Sequence, residues 1–184
     1  DAHPEADVSS IRIAPCGGAA VPPALLTALE ERHGIEILHA WGMTETSPIG
    51  AVARPPAGAS AEARLSARVS QGRPVPLVDL RIVDDAGVVQ PWDGTATGEI
   101  QVRGPWIASG YYLSDSADDR FDDGWLRTGD VAAVDAQGYV RISDRSKDII
   151  KSGGEWISSV ELENELMSHD AVREAAVIAI ADER

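Results

Sequence analysis

The stretch IRIAPCGGAAVPPALLTALEERHGIEILHAWGMTET, residues 11–46, decides the fold. Ile11-Arg12-Ile13-Ala14 reads as a short strand. Pro22 and Pro23 suit the first turn of a helix, where a missing N–H removes no bond. Leu25, Leu26 and Leu29 then give that helix an apolar face. Gly34 is placed to end it in a left-handed cap, and Ile35, Ile37 and Leu38 begin a second strand. A strand–helix–strand connection this short sets its two strands parallel in one sheet. The loops Cys16-Gly17-Gly18-Ala19 and Trp41-Gly42-Met43-Thr44-Glu45 then both leave carboxyl ends of strands. They share the edge on which open α/β sheets bind ligands.

Outward from this unit the character changes. A Pro/Ala/Gly stretch from Arg54 to Ser60 reads as a connection. From about Gly72, apolar residues alternate with polar ones at Val78, Leu80 and Ile82, at Ile100 and Val102, and at Val140 and Ile142. Asp85-Ala86-Gly87, Trp92-Asp93-Gly94 and Ala136-Gln137-Gly138 supply the turns between them. The expectation is a small twisted sheet or open barrel. A third segment opens near Asp144. Asp148 to Ile157 reads as a hairpin around Gly153-Gly154. A helix follows, signalled by Ser158 and Glu161 at capping-box spacing, and Val172 to Ile180 reads as a further strand.

The expected organisation is α/β, followed by a small β-barrel-like subdomain and the start of a small α+β C-terminal domain. The boundaries fall at 1–70 (end of an α/β core), 71–143 (β-rich), 144–148 (hinge) and 149–184 (beginning of the small domain).

Composition excludes several functions. A formal charge of −14 over 184 residues argues against nucleic acid, which calls for a basic footprint. It leaves room for a small anionic ligand held by local donors. No apolar run reaches the roughly 20 residues that span a bilayer. The lone Cys16 rules out an internal disulfide framework and suits a cytoplasmic protein; it reads as a small buried residue. The acidic patch from Asp115 to Asp123 lacks the ligand spacing of a calcium loop and reads as solvated.

Two short motifs carry chemistry. Thr44 offers a hydroxyl beside the carboxylate of Glu45, a pair able to bond a phosphate and hold Mg²⁺; a plain strand exit would show the same residues. Asp130, in Arg127-Thr128-Gly129-Asp130, can accept from both hydroxyls of a ribose, or can cap its own turn.

Taken in order, five motifs resemble the core of the adenylate-forming superfamily. They are Gly17-Gly18-Ala19, Trp41-Gly42-Met43-Thr44-Glu45-Thr46, Gly98-Glu99-Ile100 with Gly104 and Gly110-Tyr111, Arg127-Thr128-Gly129-Asp130, and Asp144-Arg145-Ser146-Lys147-Asp148. The superfamily includes acyl-CoA synthetases, luciferases and peptide-synthetase adenylation domains. The stretch Asp144–Asn164 is similar to the fatty-acyl-CoA synthetase branch. The resemblance covers essentially the whole chain.

It implies an ATP-dependent fatty-acyl-CoA ligase that converts a carboxylate, ATP and CoA to acyl-CoA, AMP and pyrophosphate through an acyl-adenylate. Gly17, Gly18 and Ala19 would line an adenine pocket, bordered by His39, Ala40, Trp41 and Gly42, with Trp41 stacked on the base. Thr44 would touch phosphate and Glu45 would hold Mg²⁺, which makes these two the catalytic pair. Asp130 would clasp the ribose, with Arg145 adding a contact. Lys147 would be the hinge. Lys151 and Trp156 would approach the nucleotide, and Gly153 and Gly154 the pantetheine arm of CoA. The partners implied are ATP or AMP, CoA and a carboxylic acid, with a homodimer allowed.

The resemblance departs at two places. The family's Gly/Ser/Thr-rich phosphate loop ending in Lys has no match in this sequence, nor has its catalytic Lys near the C-terminus. The expectation is therefore a truncated, inactive piece of a chain about three times as long. The alternatives are a non-catalytic nucleotide-binding module and an adenylation domain of the peptide-synthetase or luciferase type.

Overall fold

A computed structural model describes residues 3, 6–18, 21–113, 119–146, 150–152, 155–167, 169 and 171–180. For 151, 152, 155, 156, 160, 161 and 164 it describes the backbone alone. The chain divides into two compact units. The first comprises Asp1–Asp79, Gly104–Ala108 and Gln137–Val140, and the second Leu80–Arg103, Ser109–Ala136 and Arg141–Arg184.

The first unit is built on the strand–helix–strand pattern. β1 (Ile13–Cys16) lies parallel to β2 (Glu36–Gly42), with Cys16 opposite His39. Between them α1 (Pro23–His33) starts after Pro22 and ends on Gly34, at φ 66°. Leu26 is fully buried with Val21 and Ile37, and Leu29, Cys16 and Val69 pack around them. Each such buried aliphatic side chain contributes about 1.5–3 kcal/mol. Leu25 is 45% exposed, so the apolar stripe is narrower than three leucines suggest. β3 (Ile49–Val52) pairs antiparallel with β2, and β4 (Arg73–Pro74) pairs with β3. A second helix, α2 (Ala61–Val69), is capped by the Ser60 side chain, which accepts from Ala63 N–H at 3.2 Å.

The second unit is a five-stranded sheet. β6 (Thr97–Arg103) and β8 (Trp125–Val134) form its centre, β5 (Asp79–Val83) lies at the edge beside β6, and both β7 (Phe121–Asp122) and β9 (Val140–Arg145) pair with β8. Ile82, Ile100, Val102, Leu126, Val131 and Val134 are essentially inaccessible. The expected alternation is present, and it makes a mixed α/β chain with a β-rich second part. β10 (Ile150–Ser152) and β11 (Glu155–Ile157) form the expected antiparallel pair, leading into α3 (Ser159–Met167).

Residues 172–180 do not form the expected strand. A strand is fixed by ladder bonds to a neighbour, and none of the described strands pairs with this segment. It is instead tied to α3 by Val177 N–H, which donates to the Glu163 carboxylate at 2.9 Å.

Candidate functional site

In the first unit, parallel pairing of β1 and β2 sends both predicted loops off one sheet edge. Gly17 lies with its α-carbon against the Ala40 carbonyl, where a Cβ would come within 2.8 Å of the oxygen. Gly18 stands at φ 86° with open space around it. Ala19 lies outside the described residues. His39 is buried and Ala40 half-buried. Trp41 is 7% exposed, and its ring covers Gly50, where a Cβ would fall 2.4 Å from Cζ3. That packing limits what the indole can offer a ligand to its uncovered edge.

After Gly42 the chain turns back sharply. A Cβ on Gly42 would sit 1.7 Å from the Pro48 carbonyl oxygen, so only glycine permits the return. The Thr46 hydroxyl closes the turn: it accepts from Met43 N–H at 2.9 Å and donates to Pro48 O at 2.5 Å. This leaves Thr44 exposed and Glu45 half-buried in a single 3₁₀ turn, Thr44–Thr46.

The turn is held from a distant part of the chain. Ala108 N–H donates to Glu45 O at 2.8 Å, and the Ser47 hydroxyl to Trp106 O at 2.9 Å. No local pattern in the sequence announces this support. A Cβ on Gly104 would meet Leu77 O at 2.7 Å, so the glycine lets residues 104–108 pack closely within the first unit.

Among the described residues no group of three or more His, Cys, Asp or Glu is gathered to cage a metal. Mg²⁺ at a nucleotide needs no such cage, because it takes one or two carboxylates and completes its shell with phosphate and water. The single carboxylate of Glu45 beside the Thr44 hydroxyl fits that donor set.

In the second unit Asp130 stands within β8 and not on a loop before a strand. The register pairs Gln101 with Arg127 and Glu99 with Val131, so three residues of β8 face one of β6. Such a bulge re-aims side chains. Gly129 takes φ 78° within it. Asp130 is 8% exposed and pairs with Arg145 Nε at 3.2 Å. Ser146 N–H donates to Gly129 O at 2.8 Å. The Glu99 carboxylate accepts from Gly129 N–H at 3.1 Å and from Arg127 Nε at 2.9 Å. Glu99 lies within the Gly98-Glu99-Ile100 motif, whose sequence alone assigns it no task.

Lys151 and Trp156 are direct cross-strand partners in the β10–β11 pair. Lys147, Gly153 and Gly154 lie outside the described residues. Thus the first unit gathers Gly17, Gly18, His39, Ala40, Trp41, Gly42, Thr44 and Glu45, and the second gathers Asp130 and Arg145.

The chain belongs to the family of AMP-binding enzymes, whose model matches residues 1–112. It is similar to the 3-methylmercaptopropionyl-CoA ligase of Ruegeria pomeroyi, at 49% identity over 168 residues, 89% of this chain and 31% of that one. It is equally similar to the long-chain-fatty-acid–CoA ligase of Thermus thermophilus, at 49% over 169 residues, again 89% and 31%. The o-succinylbenzoate coenzyme A synthetase of Bacillus subtilis, solved in complex with ATP and magnesium ion, superposes with TM-score 0.80 at 35% identity, over 95% of this chain and 35% of that one. The chain thus spans about a third of the length of these relatives. No helix among the described residues is long and apolar enough to cross a membrane.

Proposed function

We propose that the whole protein is an ATP-dependent acyl-CoA ligase of the adenylate-forming type, and that its acid is a fatty or alkylthio acid. The observation that carries this reading is the identity of 49% to two acyl-CoA ligases, extending over a chain whose Thr44–Glu45 turn and Asp130 bulge are both built with dedicated support. The reaction has two steps. A carboxylate oxygen attacks the α-phosphorus of ATP, the bond to the β-phosphate oxygen breaks, and pyrophosphate leaves. The sulfur of CoA then attacks the acyl carbon, the bond to AMP breaks, and the thiol proton passes to solvent.

The residues have separate tasks. Gly17, Gly18, Ala19, His39, Ala40, Trp41 and Gly42 border the base. Thr44 donates to phosphate, and Asp130 accepts from the ribose hydroxyls while Arg145 keeps its carboxylate oriented. Mg²⁺, held by Glu45, would supply charge neutralisation on the phosphates. Catalysis of the first step rests on donors and charge already in place, more than on proton transfer. Residues 144–148 form the hinge, with Lys147 at its pivot. Lys151, Trp156, Gly153 and Gly154 serve the nucleotide and CoA in turn as the small domain rotates.

The test is titration of the whole protein with AMP. Asp130→Ala removes a charge-assisted hydrogen bond worth about 1.5–3 kcal/mol, a loss of about tenfold to a hundredfold in affinity. Unchanged affinity would reduce Asp130 to a turn residue.

A further inference from the structure

Glu99 sits on β6, opposite the β8 bulge that presents Asp130, and its side chain is 16% exposed. One carboxylate oxygen accepts from Gly129 N–H at 3.1 Å. The other takes Arg127 Nε and NH2, at 2.9 and 2.8 Å. Gly129 lies in the bulge and Arg127 flanks it, on either side of Thr128. From Gly129 the next residue is Asp130 itself.

A bulge leaves ladder groups without their usual partners, and each buried orphan is costly. At this bulge, two side chains and one distant backbone amide replace the ladder. Glu99 takes the Gly129 N–H. The Thr128 hydroxyl accepts from Asp130 N–H at 3.2 Å and donates to Ile100 O at 2.8 Å. Gly129 O is taken by Ser146 N–H at 2.8 Å. Of these, Glu99 alone contributes a charge, and charge-assisted bonds are the shorter and stronger kind. The Arg127 side chain is 47% exposed, so its ion pair with Glu99 adds little by itself. Its value is geometric: the planar fork holds one oxygen so that the other meets Gly129.

We infer that Glu99 is a positioning residue for the ribose: through Gly129 N–H it fixes the backbone from which the Asp130 carboxylate meets the two ribose hydroxyls. Glu99 itself touches no substrate. The inference rests on the ribose role of Asp130 proposed above. It extends that role to the glutamate of the Gly98-Glu99-Ile100 motif, which has no other task in the site.

The test uses the whole protein and two ligands, AMP and 2′,3′-dideoxyadenosine 5′-monophosphate, titrated calorimetrically. The wild type should prefer AMP. Glu99→Met keeps the side-chain length without an acceptor. It should lower AMP affinity about tenfold, the size of one charge-assisted bond, and leave dideoxy-AMP affinity unchanged. Glu99→Gln keeps a carbonyl oxygen for Gly129 N–H and should retain most of the preference. If Asp130→Ala keeps the preference for AMP, the ribose reading falls and this inference with it. If Asp130→Ala loses the preference while Glu99→Met keeps it, the inference alone is overturned. Weakening of both ligands in proportion by Glu99→Met would show a merely structural role and overturn it too. Should Glu99→Met fail to fold, exchange of the wild-type Gly129 amide decides. Protection supports the link, and exchange as fast as an exposed loop refutes it.

Discussion

Asp144 holds the first residue of α3 by two bonds: its Oδ2 accepts from Ser159 N–H at 2.7 Å and from the Ser159 hydroxyl at 2.6 Å. Both residues are buried, at 5% and 6% exposure. Beside them the Ser158 hydroxyl donates to Ser143 O at 2.5 Å. The sequence suggested that Ser158 and Glu161 cap this helix; the carboxylate reaching its first N–H comes from the end of β9. Lys147, the proposed pivot, lies between the two partners in sequence. Any large rotation of α3 about Lys147 must therefore break these bonds. Asp144→Ala should cost about 1 kcal/mol or more, the scale of a lost helix cap. It should speed amide exchange along Ser159–Met167 while the amides of β6 and β8 stay protected. Uniform exchange in all three elements would mean that the carboxylate does not hold the helix in place.

Lys147→Pro addresses the hinge itself. Proline fixes φ near −65° and removes a donor, and hinge residues must absorb large backbone changes. In the whole protein, pyrophosphate exchange should persist while acyl-CoA formation from preformed adenylate falls by orders of magnitude. Equal losses in both assays would make Lys147 a nucleotide contact or a folding residue. Lys147→Ala serves as control, since it keeps backbone freedom and removes only the charge.

Gly42→Ala tests the return of the chain after β2. A methyl group there would overlap the Pro48 carbonyl, so the turn presenting Thr44 and Glu45 must shift. The destabilisation should exceed the roughly 1 kcal/mol typical of point substitutions, read as a lowered unfolding midpoint. A midpoint equal to wild type would show that the turn has room to spare.

Much of this was legible in the sequence, and the exceptions share a cause. The β1–α1–β2 unit could be read because Pro22, Leu26 and Gly34 are local signals whose meaning needs no distant partner. The β-rich part was visible in the alternation around Ile82 and Ile100. α2 was missed although Ser60 and Ala63 stand at cap spacing, because the preceding Pro/Ala/Gly run hid its start. The bulge at Asp130 was read as a turn, since Gly129 signals a positive φ in either setting and only the register with Glu99 tells them apart. The Ala108–Glu45 and Asp144–Ser159 bonds join residues far apart in the chain, which local periodicity cannot register.

Glu45→Gln separates metal chemistry from base recognition. The substitution removes the carboxylate expected to hold Mg²⁺ while keeping its shape. Adenylation at limiting Mg²⁺ should fall steeply and recover in part as Mg²⁺ is raised, and AMP affinity should change little. Loss of AMP binding with no change in Mg²⁺ dependence would assign Glu45 to the nucleotide instead.

The 184-residue chain has no match to the Lys-ended phosphate loop or to the C-terminal catalytic Lys of its family. Expressed as these residues alone, it should therefore turn over no ATP, CoA and octanoate and bind ATP no more tightly than AMP. Ordinary enzymatic turnover by this chain would show that neither lysine element is needed.

The central claim, that the whole protein activates a carboxylate as its adenylate and passes it to CoA, is tested most directly by following its products. Incubated with octanoate, ATP, Mg²⁺ and CoA, it should form octanoyl-CoA, AMP and pyrophosphate in equal amounts. With CoA omitted and hydroxylamine added, octanoyl hydroxamate should replace the thioester. Release of ADP and phosphate, or AMP without any acyl product across short, medium and long acids, would contradict it.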